Sequence, residues 1–304
     1  MLIENRLIAY SLLALLVALV VSFLMTPVVK TFAYKVGAID VPKDARRMHK
    51  TPIPRLGGLA IFIGFMVSIL LFVEITAEMR SILLGAVIIV VLGVVDDIMA
   101  LPALLKFVVQ IIAALIPALN GVVIQAFSNP NVFSDSPYWV LGKLSVPLTV
   151  LWIVAITNAV NLIDGLDGLA NGVSAISATT VLVIALLGGQ FQVAVVMAAL
   201  VGACVGFMPY NMNPAKMFMG DTGATFLGYI LATMSIEGLF KFYAIISFAV
   251  PFLILGLPIF DTAFAFIRRI AHGQSPMHAD RSHIHHRLID MGLNQKQAVA
   301  TLYV

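Results

Sequence analysis

Apolar residues in this chain come in long blocks separated by short polar loops, rather than alternating with polar ones. A helix crosses a bilayer with about 20 mostly apolar residues, and its backbone polar groups satisfy one another inside the hydrocarbon. Nine blocks approach that length: residues 7–25, 56–73, 81–95, 101–122, 144–163, 169–187, 191–208, 222–236 and 242–267. Blocks 81–95 and 222–236 are short for a span. Apolar character returns at residues 301–304, which reads as the onset of a tenth span that is cut off. The pattern predicts an all-α fold, a polytopic transmembrane helical bundle of about ten spans. It forms a single integral-membrane domain over residues 1–304, lacking one or more C-terminal spans. Between the fourth and fifth blocks, Asn129-Pro130-Asn131 lies between two apolar stretches and predicts a small hairpin.

Composition agrees with a membrane solvent. Hydrophobic residues make up 61% of the chain and charged ones 11%, where soluble domains carry roughly 25% charged residues. Mean hydropathy is +1.04. The first block is uncharged and is not followed by a small-residue cleavage site, so it reads as a retained span rather than a leader. Cys204 is the only cysteine, which excludes a disulfide within the chain.

The distribution of charge says more than its net value of +3. If the chain alternates sides with its N-terminus outside, one side receives 14 of the 18 Lys and Arg. These are seven between Lys30 and Arg55, Lys106, Lys216, and five between Arg268 and Lys296. The positive-inside rule makes that side cytoplasmic. All six histidines and ten of the eleven aspartates join them, while the four glutamates fall on the other side. Charge bias explains the Lys and Arg but not the Asp and His. The sorting predicts one cytoplasmic active-site cleft assembled from several loops, and argues against nucleic acid as a partner.

Four constellations fall in those loops. Asp96-Asp97 closes the third block; adjacent carboxylates repel, and successive helical side chains point about 100° apart. Unequal roles follow: one a base or phosphate-facing group, the other the partner of a cation. Lys106, at the start of the next block, could snorkel or hold a phosphate. In Asn158-Ala-Val-Asn161-Leu-Ile-Asp164-Gly-Leu-Asp167-Gly, the first three polar residues recur every third position and share a helix face. The glycines there suggest close approach of a ligand, although the asparagines could equally bond neighbouring helices. Asn211 through Phe218-Met-Gly220-Asp221 precedes the eighth block; Asp221 suits either a helix N-cap or an oxygen ligand for Mg²⁺. Arg281-Ser-His283-Ile-His285-His286-Arg287 lies in the last loop. Arginines beside the histidines argue against zinc and for the oxygens of a diphosphate. Asp261 reads as a partner of Arg268 and is left out of the site.

The segments VVDD with LLKFVVQ, NAVNLIDGLDGLANG, NMNPAKMFMGDTGATFLG and DRSHIHHRL, in this order, resemble the polyprenyl-phosphate N-acetylhexosamine-1-phosphate transferase family over nearly the whole chain. The HIHHR form and the first loop, RRMHKTPIPRLGG, look like the bacterial undecaprenyl-phosphate GlcNAc-1-phosphate transferases (TagO/WecA type). Phospho-MurNAc-pentapeptide transferase, the main alternative, usually carries three consecutive histidines; here Ile284 splits them.

The resemblance implies a reaction. GlcNAc-1-phosphate passes from UDP-GlcNAc to undecaprenyl phosphate, giving undecaprenyl-diphospho-GlcNAc and UMP, with Mg²⁺ or Mn²⁺ as cofactor. This is the first membrane step of teichoic acid or O-antigen-type polymer synthesis, at the bacterial cytoplasmic membrane. By motif, Asp221 is implied as the metal ligand with Asn161 beside it. Asp96, Asp97, Asp164 and His285 form the catalytic group, with Asp96 deprotonating or orienting the lipid phosphate and Lys106 neutralising charge. Asp167, Asn211 and Phe218 would surround the uridine, and Arg281, His283, His285 and His286 the diphosphate or sugar. One-step attack and a route through an aspartyl intermediate both remain open, and a homodimer is an admissible state. The alternative of another class is a secondary transporter, which would place its polar residues near mid-membrane, often in repeats; no repeat is visible.

Overall fold

A computed structural model of the chain describes residues 2–42, 51–128, 136, 138–240, 255–271 and 284–303. Eleven α-helices, a short 3-10 helix (Gly142–Leu144), a π-helical turn (Ile236–Phe240) and two short hairpins are seen among them. The helices are α1 (Leu2–Val36), α2 (Gly57–Phe72), α3 (Ala77–Met99), α4 (Ala103–Leu119), α5 (Ser145–Ile163), α6 (Leu169–Leu187), α7 (Phe191–Asn211), α8 (Gly220–Ser235), α9 (Gly256–Ala271), α10 (Ile284–Asp290) and α11 (Gln295–Leu302). Strands β1 (Ile39–Asp40) and β2 (Ile53–Pro54) pair antiparallel, as do β3 (Ala126–Ser128) and β4 (Tyr138–Val140). The second pair flanks Asn129-Pro130-Asn131, which lie outside the described residues.

Each of the nine apolar blocks carries a helix, but not each helix is a span by itself. Five are long and apolar enough to cross a membrane: Arg6–Val36, Ala77–Met99, Gly142–Ile163, Leu169–Leu187 and Phe191–Asn211. The described residues thus show five such helices, with the shorter apolar helices Gly57–Phe72 and Ala103–Leu119 beside them, out of the about ten spans expected for the whole chain. At 1.5 Å per residue a 16-residue helix such as α2 or α8 covers about 24 Å, less than the roughly 30 Å of hydrocarbon. Helix α8 has no need to meet lipid, because Thr222 to Ser235 are all buried. It packs against α2, α3, α5 and α6. Thr301 and Leu302, where apolar character returns, are the last two residues of α11.

Small residues set the closest helix crossings. A Cβ at Gly58 would strike the backbone of Gly223, and one at Gly93 the backbone of Thr222. Such contacts let α2 and α3 approach the first turn of α8, where association rests on close packing rather than on expulsion of water. The ends of α1, α3, α5 and α7 and the starts of α2, α4, α6 and α8 consequently meet at one end of the bundle.

Candidate active site

The last turn of α3 points two carboxylates in different directions. Asp97, its side chain 1% exposed, caps α8. Its Oδ1 accepts from the backbone N–H of Asp221 (3.1 Å), and its Oδ2 from the N–H (3.0 Å) and hydroxyl (2.7 Å) of Thr222. Unpaired N–H groups at a helix start carry partial positive charge, so a carboxylate there is doubly favoured. Gly220 makes the approach possible. It is left-handed, φ +73°, and a Cβ on it would collide with the Asp97 carboxylate. Asp221 itself is not the cap; it stands in the first turn, and the N-cap position, Met219, makes no side-chain bond. Asp97 is the partner of a cation as well, with the Arg55 Nε at 3.8 Å.

Asp96 turns the other way. One oxygen accepts from the N–H of Leu101 (2.6 Å), the other from the Lys106 ammonium (2.8 Å). Lys106 also donates to Asp221 Oδ2 at 3.0 Å. A single ammonium from α4 thus bridges carboxylates of α3 and α8. Lys106 does not snorkel away, because two anions hold it.

The α5–α6 loop supplies the third wall. Asn158 faces α4, where it donates to Gln110 Oε1 (2.6 Å), so of the three regularly spaced residues this one links helices. Asn161 is half-buried in the last turn, and Asp164 is the C-cap residue of α5. The Asp164 carboxyl is pushed up to about 8, first by burial and then by the charges of Asp221, Asp97 and Asp167. These four aspartates therefore sense one another across three loops. Asp167 accepts through Oδ2 from the Asn213 side chain (2.9 Å) and the N–H of Ala215 (3.0 Å), which ties the α5–α6 loop to the α7–α8 loop.

In the α7–α8 loop, Asn211 donates to the carbonyl of Met217 (3.2 Å). Its Oδ1 is buried and has no hydrogen-bond partner among the described residues. Phe218 is pinned by its backbone: its N–H donates to Pro54 and its carbonyl accepts from Gly57, both at 2.9 Å. Its ring is half-buried. Asn171 donates to the carbonyl of Cys204 (3.1 Å) and joins α6 to α7.

The structure thus brings Asp96, Asp97, Lys106, Asn161, Asp164, Asp167, Asn211, Phe218 and Asp221 to one end of the bundle. His285 and His286 fall in the first turn of α10; Arg281 and His283 lie outside the described residues. Arg55 and Thr222 were missed as site supports by sequence reasoning. The signal for Arg55 was its place in the PRLGG loop, two residues before Gly57-Gly58. Among the described residues no group of three or more His, Cys, Asp and Glu side chains is gathered as a metal site.

Such an end, acidic yet threaded by a lysine and open to helix N-termini, suits binding and transfer of phosphate groups. Comparison with known proteins identifies which transfer. A model of the family described as "Glycosyl transferase family 4" matches residues 79–239, more than half the chain. The chain belongs to this family. The matched segment runs from α3 to the turn after α8 and contains all nine gathered residues.

Several family relatives are similar over most of their length. A probable undecaprenyl-phosphate N-acetylglucosaminyl 1-phosphate transferase of Bacillus subtilis (strain 168) is 43% identical over 96% of this chain and 80% of its own. A decaprenyl-phosphate N-acetylglucosaminephosphotransferase of Mycolicibacterium smegmatis is 34% identical over 95% of this chain and 78% of its own. A phospho-N-acetylmuramoyl-pentapeptide-transferase of Heliobacterium modesticaldum is 34% identical, over 64% of this chain and 63% of its own. Glycosyl transferase family 4 thus supports an enzyme that moves a hexosamine 1-phosphate onto a polyprenyl phosphate in a membrane.

Proposed function

We propose that the chain transfers GlcNAc-1-phosphate from UDP-GlcNAc to undecaprenyl phosphate at the cytoplasmic face of the bacterial plasma membrane, opening the synthesis of a teichoic acid or O-antigen-type polymer. The observation that carries this reading is the Lys106 bridge between Asp96 and Asp221. It concentrates paired charge at one end of membrane helices, where a soluble nucleotide and a lipid head group can both arrive. A transporter would set its polar groups at mid-depth.

In the reaction an oxygen of the lipid phosphate attacks the phosphorus that bears the sugar. The bond from that phosphorus to the bridging oxygen breaks, and UMP leaves with the bridging oxygen. Phosphoryl transfer asks the protein mainly for positioning and charge neutralisation. Lys106 receives phosphate oxygens, and Asp96 holds and orients the Lys106 ammonium. Asp97 keeps the start of α8 in place so that Asp221 faces the site. Asp167 and Asn211 bind the uridine, Phe218 stacks on its base, and Arg281, His283, His285 and His286 take the diphosphate and sugar.

The donor set fits a divalent cation. Asp164 is raised first by burial and then by the negative charge of Asp221, Asp97 and Asp167, and a cation would relieve the second of these. Mg²⁺ typically takes one or two protein carboxylates and fills its remaining positions with water and substrate phosphates. Asp221 would hold it, with Asn161 and Asp164 beside it; Mn²⁺ would substitute. Bound there, the metal neutralises the diphosphate charge.

The test is UMP release by purified protein in lipid-containing micelles. Release from UDP-GlcNAc that requires both undecaprenyl phosphate and Mg²⁺ is expected. Preference for UDP-MurNAc-pentapeptide would move the chain to the other branch of the family. Full turnover in excess EDTA would remove the metal, and solute flux without UMP release would restore the transporter.

A further inference from the structure

Two side chains of the last helical pair reach the floor of the site from behind. The Tyr303 hydroxyl, one residue past α11, donates to the carbonyl of Gly168 at 2.7 Å. Gly168 directly follows Asp167 in the chain. It adopts φ +80° and serves as the N-cap of α6. The Tyr303 ring fills the notch left by Gly172, one helical turn on, where a Cβ would run into its hydroxyl. Burial pushes the Tyr303 phenol up to about 12, so it stays a donor throughout the neutral range.

Gln295, at the other end of α11, completes a second tie. The Asn213 amide nitrogen donates to Gln295 Oε1 at 2.7 Å and to Asp167 Oδ2 at 2.9 Å. Asp167 is therefore tied to this end of the chain twice: its carboxylate through the Asn213 side chain to Gln295, and the carbonyl of the residue after it directly to the Tyr303 hydroxyl. The pair α10–α11 is anchored at its start too, where the N–H of Ile284 donates to Asp261 Oδ1 on α9 (2.8 Å). The helix that begins at the histidine segment is thus tied through α11 to the loop that presents Asp167.

We propose that Tyr303 and Gln295 are positioning residues for Asp167, setting the nucleotide end of the site without touching the nucleotide. The proposal rests on Asp167 lying at the uridine, as argued above. A loop with several glycines has little stiffness of its own, since glycine restricts the backbone least. Gly165 and Gly168 give the loop little stiffness of its own, and Gly172 lies in the first turn of α6, so contacts from outside help to fix the loop's carbonyls and side chains. Beside the bonds of Asp167 to Asn213 and Ala215, the Gln295 and Tyr303 contacts supply such fixing from outside.

Three variants of the full-length protein test this: Tyr303→Phe, which removes only the hydroxyl, Gln295→Ala, and Gly172→Ala, which displaces the ring. Each is expected to raise KM for the UDP-sugar about 3- to 10-fold, the range of one lost hydrogen bond. The KM for lipid phosphate, kcat at saturation and the melting temperature are expected to stay near wild type. Hydrogen–deuterium exchange over residues 164–172 is expected to quicken in all three. An unchanged donor KM with unchanged exchange would overturn the proposal. So would a uniform fall in kcat and melting temperature, which would mark ordinary structural packing. If wild-type protein turned over no UDP-sugar, the proposed function would fail instead, and exchange would still decide whether α11 holds the loop.

Discussion

Asp97 and Thr222, separated by 125 positions in the chain, share two hydrogen bonds to one carboxylate oxygen, from the Thr222 N–H at 3.0 Å and its hydroxyl at 2.7 Å. The bond lies inside protein, and the helix it starts is buried from Thr222 to Ser235. Asp97 therefore behaves as a fastener for α8, whereas its neighbour Asp96 belongs to the charge bridge. Expected roles for the pair were unequal, and the division falls between holding a helix and holding a lysine.

Asp97→Ala should cost about 1–3 kcal/mol of stability, because it leaves buried donors without acceptors. Thr222→Val removes one of those donors together with its bond, so its cost should be smaller, about 1 kcal/mol. In the double variant the two losses should fall short of their sum. Melting curves in one detergent would show this. An Asp97→Ala protein as stable as wild type would dismiss the cap.

Lys106→Ala and Asp96→Asn should each lower kcat by about 10²–10³, the usual cost of losing a fixed charge-stabilising group. Both oxygens of Asp96 are engaged, by Leu101 and Lys106. The Asp96→Asn loss should therefore be the same from pH 6 to pH 9. A loss that shrinks at high pH, where the lipid phosphate is already dianionic, would return Asp96 to the role of base. A stoichiometric burst of UMP without lipid acceptor would instead make it a covalent nucleophile.

Asp164 carries a pH signature. Its folded carboxyl sits at about 8 against an ordinary 3.8, so the folded chain keeps a proton that the unfolded chain releases. The resulting contribution is harmless below about pH 4 and grows less favourable as pH rises toward 8. Above 8 it levels off, since both states are then ionised. In EDTA, Asp164→Asn should melt above wild type, with a gap that widens from pH 5 to pH 8. Mg²⁺ should narrow the gap at pH 8 by stabilising the ionised wild type. An equal gap at both pH values would refute this account.

Phe218→Ala should raise KM for the UDP-sugar roughly 5- to 150-fold, the equivalent of about 1–3 kcal/mol of lost base stacking. Its backbone bonds to Pro54 and Gly57 do not involve the ring and should survive the change. An unchanged KM would make the ring a packing residue.

Long apolar blocks specify helices by themselves, because a bilayer leaves the backbone no partner but its own. The sequence therefore determined where the helices run. Alternation of their direction then sent Asp96, Lys106, Asp164, Asn211 and Asp221 to a common end, as the structure has it. What it could not convey is how each helix is rotated about its axis. A helix apolar on all sides marks no face for burial, so nothing local told Asn158, which meets Gln110 on α4, from Asn161 three residues on. Nor could spacing reveal that the cap of α8 comes from α3, or that α11 turns back to hold Gly168. These links join residues more than a hundred positions apart. Only the close crossings at Gly58, Gly93 and Gly172 bring them within hydrogen-bond range, and tertiary packing decided them.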